Sequence, residues 1–450
     1  MTPPPPPPPP PPAASTAAGN AFAPPPTAER QGAWVAVPSR FWRKAFAFAG
    51  PGYLVAVGYM DPGNWATGLG GGSAFGYQLL SVIVLSNLLA MFLQALAAKL
   101  GIVSGLDLAQ ACRARYRRPT RLFLWLLCEL AIAACDLAEL IGAAIALELL
   151  FGVPLLLGIV LTGFEVLLIL MLHERGVRAL EALVAGLIAV IALCFAAELI
   201  LAQPSGRAIV DGLVPTAAIV ADPAMLYLAI GILGATVMPH NLYLHSALVK
   251  SRRHRRDEPA LREAIRFAVA DVVIALAIAL FINASILVLA AATFHQPGVG
   301  LVVGIEEAYR LLAPALGAGI ASTLFAVALL ASGQNASITG TLAGQVAMEG
   351  FTDLRWPPWL RRLVSRLAAM VPALVAVGLH GNEGAMQLLI LSQVVLSLQL
   401  PFAVVPLVRL TGDRSIMGAF ANGPVTTAVA WLVSGLLIAL NLVLLGQSVT

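Results

Sequence analysis

The sequence predicts an all-α polytopic membrane protein built as an inverted repeat, five helices plus five with an eleventh appended, in which helices 1 and 6 are broken. Three observations lead there. Of 450 residues, 11% are charged and 59% hydrophobic, with a mean hydropathy of +0.87, whereas ordinary globular chains carry about 25% charged residues. Windows of about 20 apolar residues recur along the chain, each long enough to cross a hydrocarbon core of about 30 Å. Two motifs, "GYMDPGN" at 58–64 and "TVMPHN" at 236–241, each place a proline and an asparagine two residues apart inside a membrane-length apolar segment. Five spans separate these motifs, and an odd-numbered unit inverts its orientation when it repeats.

The elements follow in order. Residues 3–12 are ten prolines, and a further proline triplet stands at 24–26, so residues 1–44 read as a disordered, Pro-rich cytoplasmic tail. This start lacks the basic, apolar and small-residue regions of a secretory signal. Residues 45–446 form the transmembrane domain. Its spans fall near 46–70, 78–103, 121–147, 153–172 and 180–202 in the first repeat, and near 224–249, 268–292, 316–347, 367–381 and 386–408 in the second. The extra helix lies near 425–446. With the N-terminus inside, only Arg207 and Arg310 of the 27 Lys and Arg lie outside, which leaves 25 on the inner side. That asymmetry orients the chain with a cytoplasmic N-terminus and an extracytoplasmic C-terminus. The pI near 9.0 does not point to nucleic acid, because apolar spans interrupt the basic residues. "SRRHRRDE" at 251–258 reads as a solvated inner loop. Cys112, Cys128, Cys135 and Cys194 lack metal or redox spacing and read as small buried hydrophobes.

Proline removes a donor and clashes with the preceding turn, so both helices should break near Pro62 and Pro239. Asp61 is a carboxylate within an apolar span, costly unless partnered or functional. Asn64 can turn its amide oxygen toward the same point if the chain unwinds. Met238 offers a thioether, and the backbone near Ala235 offers carbonyls. Magnesium and calcium demand oxygen ligands. Manganese, iron and cobalt accept oxygen with one soft ligand, while copper and zinc prefer more thiolate or imidazole. The expected ligand is a divalent transition metal, although Met238 alone would read as core packing. Asp136 and Glu139, at i and i+3 of the third span, together with Glu129 and His240, supply side chains able to carry protons. Each also has an ordinary reading as a helix-packing polar contact, as does His245. Glu165, Glu198 and Asp271 read as structural, and Asn283 as lining the outer route.

"DPGN" at 61–64 and "MPHNLYLHS" at 238–246 resemble the paired signatures of the Nramp family, proton-coupled manganese and iron importers. The resemblance extends to "CDLAE" at 135–139, "ASGQNASITGTLAGQVAMEGF" at 331–351 and "LSQVVLSLQLPFAVVPL" at 391–407. It implies the LeuT-like inverted fold, with an extra helix as in many bacterial members. It further implies metal ligation by Asp61, Asn64, Met238 and the Ala235 carbonyl, with the Gly58 carbonyl and Gln393 joining in particular transport states. A family member can carry alanine at the position of Gly58. Protons are then expected to pass from Asp61 through Asp136 and Glu139 toward Arg361 and Arg362. Arg361 and Arg362 would otherwise read as positive-inside anchors. No change in either motif points to the magnesium or aluminium branches of the family.

The expected function is import of Mn2+, with Fe2+ and Cd2+ as further substrates and H+ as the coupling ion, by a monomer in the bacterial inner membrane. Neither a hydrolase triad nor a phosphate-binding loop is present in the sequence, so no enzyme is expected. Competing readings are a Na+- or H+-coupled amino acid carrier of the same fold, which would keep Gly-rich unwound backbone for a substrate carboxylate, and a nonenzymatic scaffold or receptor. A channel would repeat its polar groups as a pore ring.

Overall fold

The computed structural model describes residues 35–36, 50–173, 177–253, 255, 257–295 and 304–449. The Pro-rich stretch of the tail lies outside these residues. Residues 35–36 pair as a two-residue parallel bridge, Val35 with Arg252 and Ala36 with Arg253, and the rest of the architecture is helical.

The first span is two half-helices, α1 (Pro51–Gly58) and α2 (Pro62–Phe75). α3 (Leu80–Ser104), α4 (Leu108–Arg115), α5 (Arg118–Phe151), α6 (Leu155–His173) and α7 (Val177–Ala202) follow. The second break divides α8 (Pro223–Val237) from α9 (Pro239–Leu248). Then come α10 (Glu258–Phe294), the short α11 (Ile305–Leu316), α12 (Ile320–Thr352), α13 (Pro358–Gly412) and α14 (Pro424–Val449).

Seven helical stretches of the described residues are long and apolar enough to cross a membrane unaided. The other four expected spans are accounted for individually. The first is split at its break, and α6 and α12 are helices of 19 and 33 residues. α13 is two antiparallel spans joined at Gly381, whose φ of 59° and ψ of −140° interrupt the helix. A Cβ would be strained there, so glycine makes the turn between the ninth and tenth spans.

Several helices outrun their apolar windows. α10 starts at Glu258, not near 268, because Pro259 suits the first turn and Glu258 pairs with Arg262 at i,i+4, the oxygen 2.5 Å from the guanidinium nitrogen. Arg262 and Arg266 are therefore helical. α13 starts at Pro358, which puts Arg361, Arg362 and Arg366 on a packed helix. These three are buried and cannot serve as headgroup anchors.

The core runs between α5, α12 and α13, with α10 against α2 and α3, and α8 against α13. At one end, Lys250 bonds Asp107 at 2.7 Å and Leu108 N–H donates to Ser246 Oγ at 2.8 Å, so the second break's helix is tied to the α3–α4 corner. All four cysteines are buried and free.

At the opposite end lies α11, too short to span. Its Glu306 is 9% exposed, accepts a hydrogen bond from Asn382 Nδ2 and faces Glu148 at the end of α5. Burial, then the Glu148 carboxyl, push Glu306 up from 4.5 to about 7, with Arg310 opposing. The packed state thus holds a proton that the unpacked state releases between about pH 4.5 and 7, so α11 packs most tightly at the acid end and loosens as pH rises. Hydrogen exchange corrected for intrinsic rate should show α11 amides better protected at about pH 5.5 than at about pH 7.5. Glu306→Gln should remove that difference.

Candidate metal centre

The first break opens where α1 closes early. Tyr59 and Met60 N–H groups bond back to Ala56 and Val57 carbonyls at 3.0 and 3.1 Å, and Asp61 turns extended (φ −70°, ψ 164°) to cap α2. Its Oδ1 accepts from Asn64 N–H at 2.9 Å and from Asn64 Nδ2 at 2.8 Å. Pro62 fits the first helical position, where its missing donor costs nothing. Two carbonyls freed by the break find partners on other spans: Asn283 Nδ2 donates to Tyr59 O at 2.7 Å, and the Ser332 hydroxyl donates to Met60 O.

The second break turns on Met238, whose φ of 30° is unusual for a residue with a side chain. The two breaks meet directly. Asn64 Nδ2 also donates to the Ala235 carbonyl, at 3.1 Å. Asp61, Asn64 and Ala235 are 0%, 5% and 0% exposed, and Asp61 Oδ2 has no hydrogen-bond partner. Asp61, Asn64 and Ala235 O therefore lie together, with the Asn64 nitrogen, not its oxygen, turned toward the other two.

Met238 is fully buried, and its sulfur accepts from Asn241 Nδ2 at 3.5 Å. That amide sits where a Cβ on Gly58 would be, so the thioether is linked to the first break through Asn241. A methyl at Gly58 would have to push this amide aside. Gln393 is fully buried; its side-chain amide occupies the space beside Gly63 and its backbone carbonyl the space beside Gly234. It thus touches both broken spans, while Oε1 stays unpartnered. Among the described residues no three His, Cys, Asp or Glu gather as a metal group. The donors at the breaks are one carboxylate, amide and carbonyl oxygens and a thioether.

A second polar cluster lies beside the breaks. Arg362 bonds Asp136 and reaches Glu139 Oε2 at 3.0 Å. Arg366 reaches the same Glu139 oxygen at 2.8 Å and the Asp136 carbonyl at 3.2 Å. Ser337 donates to Glu139 at 3.2 Å. Arg361 pairs separately with Glu129 at 2.9 Å, and Glu129 also accepts from Trp125 Nε1 at 3.0 Å. Glu139 lies within electrostatic range of Asp61, and Asp136 within range of His240. Neither ring nitrogen of His240 has a hydrogen-bond partner. His245 Nδ1 lies 3.0 Å from Gln94 Oε1, and Gln94 Nε2 donates to Tyr59 OH at 2.7 Å, a chain from the second broken span back to the first.

Sequence reasoning missed Arg366, Gln94, Asn241 and Ser332. A polar side chain within an apolar span was the available signal for Gln94, Asn241 and Ser332, whereas Arg366 lies just before its span. Asn283 holds a carbonyl of the first break, a more specific place than the outer route. Asp271 is structural, accepting Gly52 N–H at 2.7 Å. Glu198 is fully buried, and the Glu165 side chain lies outside the described ones.

Two broken helices facing each other at mid-bundle, with a carboxylate and a freed carbonyl between them, define a secondary transporter for a cation. Residues 52–447 match the model of the natural resistance-associated macrophage protein-like family, and the chain belongs to this Nramp family. It is 57% identical over 418 residues to the divalent metal cation transporter MntH of Bradyrhizobium diazoefficiens, covering 92% of this chain and 93% of that protein. It is 59% identical over 424 residues to MntH of Xylella fastidiosa strain Temecula1, covering 94% and 90%. A crystal structure of the Eremococcus coleocola manganese transporter, in complex with an aromatic bis-isothiourea substituted compound, superposes with a TM-score of 0.84. That match has 46% identity and covers 91% of this chain and 88% of that one. The fold extends to Mhp1, a nucleobase-cation-symport-1 family transporter, at 16% identity and a TM-score of 0.56, covering 92% of both chains.

Proposed function

We propose that this protein imports Mn2+, with Fe2+ and Cd2+ as further substrates, by alternating access between the two faces of the bundle and coupled to H+. The observation that carries it is the meeting of Asp61, Asn64 and the Ala235 carbonyl at two helix breaks, with Met238 and Gln393 close by. Cation entry would turn the Asn64 amide so that its oxygen replaces its nitrogen beside Asp61. Met238 adds the soft donor that favours manganese, iron and cadmium over calcium and magnesium. Gln393, in contact with both broken spans, would close over the ion. Gly58 would give its carbonyl in a particular transport state.

Protons leave by way of Asp61, His240, Asp136 and Glu139, past Arg362, whose guanidinium stays protonated and balances the carboxylates. Arg361 with Glu129 extends the path, and His245 flanks it. An interior-negative potential adds about 2.3 kcal/mol per charge per 100 mV to the driving force. The repeats comprise about 46–202 and 224–408, preceded by the tail and followed by the extra helix. The monomer sits in the bacterial inner membrane with a cytoplasmic N-terminus and an extracytoplasmic C-terminus, as the distribution of Lys and Arg supports.

The test is radiolabelled manganese uptake into proteoliposomes with an imposed pH gradient and internal pH recorded. Saturable uptake, competed by iron or cadmium and accompanied by acidification, is expected. Amino acid uptake without manganese uptake would sink the proposal. Absence of any transport by folded protein would favour the scaffold reading.

A further inference from the structure

A cavity of about 470 Å³ opens between α5, α13 and α14. Its walls are hydrocarbon: Leu124, Phe402, Ile438 and Leu442 among them. Phe402 and Leu442 are 39% and 62% exposed, so the cavity is a groove open to the bilayer and not part of the core. Along α13 it runs from Leu398 to Arg409. Eleven residues of helix rise about 16 Å, half of a hydrocarbon core of about 30 Å. The groove therefore has the depth of one leaflet.

Its shallow end is basic. Arg409 lines the groove beside Tyr116 and lies close to the Tyr116 hydroxyl. Arg117 and Arg118, next along the chain, are exposed. Arg117 is also the N-cap of α5, and no side chain caps that helix start, so free N–H groups and the positive end of the helix dipole add to the guanidinium charge. Among the described residues the acids of this end, Asp353 and Asp413, pair with Arg113 and Arg115, at 3.1 and 3.9 Å, and not with Arg117, Arg118 or Arg409.

We infer that this groove is a binding site for an anionic phospholipid, one acyl chain lying along α13 and the phosphate held by Arg409, Arg117 and the start of α5. Two features of the site coincide: a hydrocarbon slot of leaflet depth, and uncompensated positive charge at its headgroup end. Basic pockets between transmembrane helices take anionic headgroups on this principle. The bound chain would fill the space between α5 and α14 and hold the eleventh helix on the bundle. The inference needs only that the bundle spans a bilayer, so it stands or falls separately from transport.

Native mass spectrometry of the detergent-purified full chain tests it, with phosphatidylglycerol and phosphatidylcholine of identical acyl chains added in turn. Phosphatidylglycerol should be retained preferentially. A basic residue at the membrane surface contributes about fivefold in affinity, so Arg117→Gln with Arg409→Gln should lower retention about 25-fold. Arg117→Lys with Arg409→Lys should keep most of it. Ile438→Trp, which fills the slot, should weaken both lipids. Monodispersity and melting temperature confirm that each variant is folded. Equal retention of the two lipids by the native chain, or undiminished phosphatidylglycerol on a folded glutamine variant, would overturn the inference.

Discussion

Asp61→Ala should lower manganese uptake about 100-fold or more, and Met238→Ala should change which ions are carried. Loss even of a group that only supports a metal ligand costs about 10- to 100-fold in affinity, and Asp61 is the single carboxylate where the two breaks meet. Its Oδ1 also receives both Asn64 donors, so alanine would remove both the proposed charge partner of the ion and the anchor that aims Asn64. Met238→Ala leaves every oxygen in place. Thiophilic cadmium should then lose more than manganese, and calcium and magnesium should begin to compete, because an all-oxygen shell suits them. The measurement is uptake of labelled manganese and cadmium with and without excess calcium, in vesicles holding equal amounts of protein. Calcium competition unchanged in Met238→Ala would remove the thioether from the selectivity argument. Full manganese uptake by Asp61→Ala would move the site elsewhere.

The breaks were legible because proline and a lone carboxylate are conspicuous in apolar sequence. Pro62 and Pro239 do start the second half-helices. Span ends were less legible: hydropathy reports where lipid contact stops, and helices such as α10 continue as charged turns held by local ion pairs. The buried arginines were the larger loss. Arg361, Arg362 and Arg366 lie just before and at the start of an apolar window, which is where topology anchors also lie. Only the three-dimensional packing of α13 on α5 separates the two roles. The partners of the freed carbonyls, Asn283 and Ser332, sit on spans seven and eight, and sequence spacing carries no information about such crossings. Asn241 lay inside the quoted motif, yet its role depends on the close approach of Gly58 from another helix.

The cluster of Asp136, Glu139, Arg362 and Arg366 is balanced, two acids against two bases, and buried. Neutralising one member leaves a charge without its partner, a loss of about 3 to 5 kcal/mol for a buried pair. Glu139→Gln should therefore lower the melting temperature whatever its role in transport. Arg366→Gln added to it restores the balance, since Arg366 pairs with Glu139 at 2.8 Å while Arg362 keeps Asp136. The double variant should thus regain much of the lost stability. A relay predicts that proton movement does not return with it, because the carboxylate in electrostatic range of Asp61 is still missing. Manganese binding should persist in both variants, since Asp61, Asn64 and Met238 are untouched, and metal entry would then follow the membrane potential alone. Manganese-stimulated internal acidification should fall at least about 100-fold, the low end of the range attributed to a positioned proton-transfer group. Melting temperature, manganese affinity and internal pH measured on the same preparations separate the two roles. If acidification recovers together with stability in the double variant, the cluster is a structural brace. If it stays lost while stability returns, Glu139 carries the proton.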